Sequence, residues 1–164
     1  MDRRQALALL AISAPALAQP ARQNPVIGCW TLRSSTRTFL DGHTEHHWGL
    51  NPVGRIEYDK SGRMFALVMR PDRKTSLAPG MDLDTAPENE LRGIVTGFSS
   101  YFGTFEVDET ARVITHRVIA HVNPSSSGTD MKRNFHFEGS SLVLTRHDPD
   151  GSSSDQMVFD RLPD

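Results

Sequence analysis

From residue 29 to residue 162 the chain is a run of short segments in which apolar and polar residues alternate, cut at intervals by turn residues. A period of two sends successive side chains to opposite faces, the pattern of an antiparallel strand with one face buried. The segments fall at about 29–39, 54–59, 63–70, 101–108, 112–122, 129–138, 141–147 and 155–162. Asp41-Gly42, Asp59-Lys60-Ser61-Gly62, Asp108-Glu109, Gly139-Ser140 and Asp148-Pro149-Asp150-Gly151 lie between them, all residues suited to tight reversals. Eight strands joined in this way predict an all-β fold, a single antiparallel barrel that leaves no sheet edge free. Gly28-x-Trp30 on the first strand and Arg161 on the last would then be neighbours, able to stack and close the sheet.

The pattern breaks once. Over 85–99 the spacing of Leu91, Ile94, Val95 and Phe98 predicts one amphipathic helix. Thr85-x-x-Glu88 reads as its capping box, with Pro87 in the first turn. The helix is expected to pack on the barrel, after a polar loop at 71–84 long enough to let it act as a lid.

The first residues read as something other than fold. Arg3-Arg4 precede an apolar run from Ala6 to Ala18, and Ala16-Leu17-Ala18 is a small-x-small cleavage signature. The division is therefore a cleaved signal peptide at 1–18, a linker at 19–25 and one barrel domain at 26–162, in a periplasmic or secreted protein. The paired arginines leave twin-arginine and general secretory export both open. Val26-Ile27-Gly28-Cys29 resembles a lipobox, but a polar spacer separates it from the apolar run, so no membrane anchor is expected after cleavage. Removing Asp2, Arg3 and Arg4 with the signal takes the net charge from −2 to near −3, which argues against a nucleic-acid partner. A lone Cys29 gives no internal disulfide.

Alternation also nominates the inward side chains. It places Trp30, Leu32, Ser34 and Thr36 on one face of the first strand, and Ile56 and Tyr58 inward on the second. Phe65, Leu67 and Met69 follow on the third, then Tyr101, Phe105 and Val107, then Ile114, His116, Val118 and Ala120. Met131, Arg133, Phe135 and Phe137 complete the wall, with Met157, Phe159 and Arg161 on the last strand. A buried arginine needs hydrogen bonds or an anion. Arg133 either pairs with Tyr58, Tyr101 or backbone carbonyls in a closed core, or meets the polar end of a bound molecule. His43, His46 and His47 are clustered, but in a polar turn they read as an exposed loop, with no metal site expected. No Gly-x-Ser-x-Gly elbow, phosphate loop or dinucleotide fingerprint is present, so no cofactor is implied.

Asn51-Pro52-x-Gly54-Arg55, Gly62-Arg63-Met64, Met69-Arg70-Pro71-Asp72-Arg73 and Gly103-Thr104-Phe105-Glu106-Val107-Asp108 occur in this order. Val113-Ile114-Thr115-His116, Asn123-Pro124, Gly128-Thr129 and Arg133-x-Phe135 follow. In these motifs, over residues 26–162, the chain resembles the bacterial and fungal lipocalin-like domain family. The resemblance implies a calycin-type barrel with an internal cavity, and little about activity. The expected function is to bind a small hydrophobic or amphipathic, anionic or neutral, molecule. His116, Arg133, Tyr58 and Tyr101 would hold its polar end, and Met69, Phe65, Phe105 and Phe135 its body. The alternative is a cofactor-free isomerase or cyclase using His116 for proton transfer. A third reading, an interaction module working through its outer surface, requires a filled interior.

Overall fold

The computed structural model describes residues 24–73, 77–80 and 82–163, so the expected signal peptide lies outside the described residues. The strands are β1 (Gly28–Phe39), β2 (Thr44–Glu45), β3 (Val53–Tyr58), β4 (Arg63–Met69), β5 (Phe98–Asp108), β6 (Val113–His121), β7 (Asp130–Glu138), β8 (Ser141–His147) and β9 (Ser153–Arg161). Every pairing is antiparallel, in the order β2-β1-β3-β4-β5-β6-β7-β8-β9, and β1 also pairs with β9. β2 is a two-residue appendage on the end of β1, so the closed barrel has the expected eight strands.

The short helix α1 (Glu88–Thr96) begins later than the capping box predicts. Pro87 is its cap and no side chain bonds there; Thr85 instead ends a single 3-10 turn and donates its hydroxyl to the Asp82 carbonyl. Leu91 and Ile94 are half-buried, Val95 is exposed, and Phe98 already belongs to β5. Arg73 ties the helix down, donating to the Ile94 carbonyl (2.9 Å) while its guanidinium lies 5.5 Å from the Phe98 ring centroid.

One end of the barrel is packed solid. Trp30 is fully buried and donates its indole N–H to the Val26 carbonyl (2.9 Å). The Arg161 guanidinium lies 4.1 Å from the Trp30 ring centroid and donates to the Ile27 carbonyl, as the first and last strands predict. Gly28 is necessary to this closure: its φ is +144°, and a Cβ there would come 2.3 Å from an Arg161 nitrogen. Above Trp30 the core continues through Leu32, Ile56, Met64, Ile114, Leu142 and Phe159.

Three phase shifts correct the inward assignments, and each comes from one extra residue. Lys60-Ser61-Gly62 is a three-residue loop with Gly62 at φ +83°, so Tyr58 faces Met64 and Ile56 faces Ala66. A one-residue slip turns every side chain over, which puts Met64, Ala66 and Val68 inside. Phe65, Leu67 and Met69 consequently take the outer face, with Phe65 exposed. On β1 the register shifts between Leu32 and Ser34, a bulge that sends Ser35 and Arg37 inward in place of Ser34 and Thr36. On β6 Ile119 is the extra residue opposite Phe102 and Gly103, so His121 pairs with Tyr101 and turns in where Ala120 was expected. The barrel is not filled: its other end holds a cavity of about 360 Å³, which excludes the filled interior that an outer-surface module requires.

Candidate ligand-binding site

The cavity lies in the half of the barrel away from Trp30. Its floor is apolar, built from Ile56, Ala66, Leu144, Met157 and Phe159, residues at core-facing phase on four strands, β3, β4, β8 and β9. Its upper wall is polar, with Tyr101, His116, His121, Arg133, Arg146 and Asp155 from the strands. His47 and Trp48 reach in from the loop between β2 and β3. An apolar body with a few converging polar groups is the usual composition of a small-molecule pocket, and the volume is near the lower end of such pockets.

His116 stands at the junction of core and cavity. Its Nε2 is 2.8 Å from the Tyr58 hydroxyl and its Nδ1 is 2.9 Å from the Tyr101 hydroxyl. Burial, with the nearby Arg133 charge added to it, pushes the imidazole pKa down to about 3, so the ring is neutral. A neutral imidazole donates from one nitrogen and accepts at the other. Tyr58 is sealed in the core with His116 as its hydrogen-bond partner, so the network is best satisfied when Tyr58 donates to Nε2. Nδ1–H then donates to Tyr101, and the Tyr101 O–H is left to point into the cavity. Burial raises the pKa of both phenols, opposed in each by the Arg133 guanidinium, so both stay protonated at neutral pH.

Arg133 is half-buried on the cavity wall beside Tyr101. It donates to the Lys132 carbonyl (3.0 Å) and approaches the Met131 sulfur (3.7 Å). The β7–β8 pairing ends at Asn134 and Thr145, and Arg133 and Arg146 each lie one residue beyond it on their own strand, both lining the cavity. Arg146 pairs in turn with Asp155, and Asp155 with Arg37. A row of three arginines and one aspartate therefore crosses the upper wall. Arg37 binds Asp155 at 2.9 and 3.2 Å, and Arg146 bonds both Asp155 and Asp148, the latter at 3.2 Å. Burial alone would raise the Asp155 pKa, but the Arg37 hydrogen bond and the charges of Arg146 and Arg37 hold it below the usual carboxylate value. Arg133 has no such counterpart: among the described residues no carboxylate lies within ion-pair distance of it.

Of the side chains nominated from sequence, the fold brings His116, Tyr58, Tyr101 and Arg133 into one network. Tyr58 sits behind His116 and away from the cavity lining. Phe105 and Phe135 belong to the packed core, Phe105 against Tyr58 at 4.8 Å between ring centroids. Phe65 and Met69 are on the outer face for the register reason given above. The three loop histidines separate. His43 stacks on Phe39 and bonds Asp41, His46 bonds the Ser35 carbonyl, and His47 turns into the barrel mouth, where an exposed loop residue was expected.

His121 was missed because only the Ile119 bulge turns it inward. It stacks on Tyr101 (5.4 Å, 13°) and accepts the Asn123 backbone N–H at Nδ1 (2.8 Å). Asp155 precedes Met157 by two residues, so alternation along β9 was a signal able to find it. Trp48 and His47 lie in a loop, where no periodicity exists to be read.

A family model described as a lipocalin-like domain matches residues 27–159. No curated protein and no solved structure matches the chain. With an eight-stranded antiparallel barrel closed by Trp30 and Arg161, and a match over nearly all the described residues, the chain belongs to the lipocalin-like domain family.

Proposed function

We propose that this is an exported barrel that holds a small amphipathic molecule by an anionic end. The observation that carries the reading is Arg133, a cavity-wall guanidinium with no carboxylate partner among the described residues, in the same wall as an arginine that has two. Two arginines lining one cavity repel each other unless an anion stands between or before them. The Tyr101 O–H, free to point the same way, supplies a second donor to the same oxygen pair. The apolar floor below them suits a hydrocarbon body. Export rests on Arg3-Arg4, the apolar run and Ala16-Leu17-Ala18.

Calorimetry with octanoate and octanol, equal in chain length and different in charge, tests the anion site. A charge-assisted hydrogen bond contributes about 1.5–3 kcal/mol, so octanoate should bind roughly ten- to a hundredfold more tightly. In Arg133→Met that preference should vanish while octanol binding persists. Equal affinities in the native protein, or a preference that survives the substitution, would rule the assignment out. Native mass spectrometry of the exported protein reads cleavage after Ala18 and any retained ligand in one spectrum.

The enzyme alternative changes its proton carrier. His116 lines the cavity, but both of its ring nitrogens are engaged by phenols and neither is free for a substrate. Tyr101, whose O–H is free to face the cavity, takes that place. Deuterium uptake from D2O beside the ketone of a bound oxo-octanoate, lost in Tyr101→Phe, is the result that favours turnover over simple carriage.

A further inference from the structure

The loop between β2 and β3 is fastened at its base and carries two unpaired ring nitrogens at its tip. Gly49 N–H donates to the His46 carbonyl (2.7 Å), and His46 Nδ1 is bonded to the Ser35 carbonyl on β1 (3.1 Å). These bonds fix the direction of the two residues between, His47 and Trp48, whose rings meet at 5.0 Å and both line the cavity. The Trp48 indole nitrogen is buried and has no hydrogen-bond partner among the described residues. His47 Nδ1 is also buried and unpaired, 3.7 Å from the Asp155 carboxylate and so outside hydrogen-bond range. Burial, the largest influence on it, lowers the His47 pKa and keeps the ring neutral.

An indole N–H can only donate, and a buried one normally finds an acceptor. The carboxylate in the same cavity wall, Asp155, already receives Arg37 and Arg146. The other tryptophan makes the contrast: Trp30 donates to the Val26 carbonyl in the packed end. An orphaned donor on a residue that lines a cavity points to an acceptor supplied by something the cavity holds.

We propose that Trp48 forms a second subsite, which reads a neutral oxygen acceptor on the ligand, a ketone or ester carbonyl or an ether oxygen remote from its anionic end. The ligand class is thus an oxygenated carboxylic acid, held at its carboxylate by Arg133 and Tyr101 and at its second oxygen by the Trp48 N–H. This assignment rests on the anion-binding reading for the class of ligand. The Trp48 contact itself stands on separate residues and is read by a separate comparison.

The probes are octanoate and the 4-, 5-, 6- and 7-oxo-octanoates, which move one ketone along the same chain. At least one oxo-octanoate should bind the native barrel more tightly, relative to octanoate, than it binds Trp48→Phe, by about tenfold. Phenylalanine keeps an aromatic ring in the wall and removes the N–H. Equal weakening of octanoate and all four ketones would mean that Trp48 only packs, and no weakening would mean that the N–H is unused or water-bound; either result overturns the subsite. The ratio of ketone to plain acid is unaffected by how the carboxylate is held, so loss of the octanoate preference over octanol and loss of the ketone effect are distinct failures. A measurement without any variant covers the case in which Trp48→Phe does not fold. The protein has two tryptophans, hence two indole N–H signals in a nitrogen–proton correlation spectrum. The favoured oxo-octanoate should shift the Trp48 signal downfield, octanoate should not, and the Trp30 signal serves as the fixed reference. A Trp48 signal that responds identically to both acids refutes the subsite.

Discussion

Acidifying the barrel from pH 7 to pH 5 should cost about 2 kcal/mol of folding stability through His116 alone. The unfolded imidazole titrates near its ordinary value of 6.5, and the folded one near 3, because burial first and the Arg133 charge second disfavour the cation. Between those values the unfolded chain binds a proton that the native barrel refuses. Stability is therefore complete above pH 6.5, and is lost as pH falls toward 3, with a limiting slope of about 1.4 kcal/mol per pH unit. Two units of acidification starting just above the unfolded pKa give the 2 kcal/mol, a large share of the 5–15 kcal/mol typical of a whole domain. Urea unfolding followed by far-UV circular dichroism at pH 7, 6 and 5 measures it. His47 and His121 also have lowered pKa values through burial, so the native slope contains their shares as well. His116→Gln isolates the one residue: glutamine keeps a donor and an acceptor between the two phenols and cannot titrate. The variant should start less stable and lose stability with acid less steeply. Parallel curves for native and variant protein would refute the neutral, phenol-clamped imidazole, as would an NMR titration in which the His116 ring protonates near pH 6.

Tyr58→Phe keeps the ring but leaves His116 Nε2 unpaired in the core, and should lower the unfolding free energy by about 1–3 kcal/mol at pH 7, read as a shift in urea midpoint at constant slope. Asp155→Asn removes the carboxylate shared by Arg37 and Arg146. It should cost about 3 kcal/mol at neutral pH, the low end for a broken buried pair because the Arg146 side chain is 40% exposed. Asp155 titrates below its ordinary 3.8 in the folded barrel, so this stabilisation is present above that pH and lost as pH falls through the folded value. The gap between native and Asp155→Asn proteins, measured by the same unfolding curves, should therefore close only below about pH 3.8.

The architecture was legible because strand period and turn residues agreed along the whole chain, and because Trp30 and Arg161 sit where closure needs them. The polar network was legible too: His116, Arg133, Tyr58 and Tyr101 each occupy an inward phase that no irregularity disturbs before it. What failed was phase beyond an inserted residue. Gly62, Arg33 and Ile119 each add one residue to one side of a pairing, and alternation has no memory of which side of the barrel it began on. Phe65 and Met69 were lost in this way, and His121 and Arg37 gained. His47 and Trp48 were illegible for another reason: a loop residue's direction is set by tertiary bonds, here those of His46 and Gly49.

Each strand bulge divides its strand in two, β1 between Leu32 and Ser34 and β6 at Ile119. Below them Trp30, Leu32 and Ile114 run on one alternation, and above them Ser35, Arg37 and His121 run on another. The barrel is in effect two stacked rings whose sequence grammars are uncoupled along β1 and β6. A lineage, or an engineer, can rewrite the upper ring to suit a new guest and leave the lower ring's packing code untouched, so selectivity can drift quickly in a container whose foundation does not have to change with it.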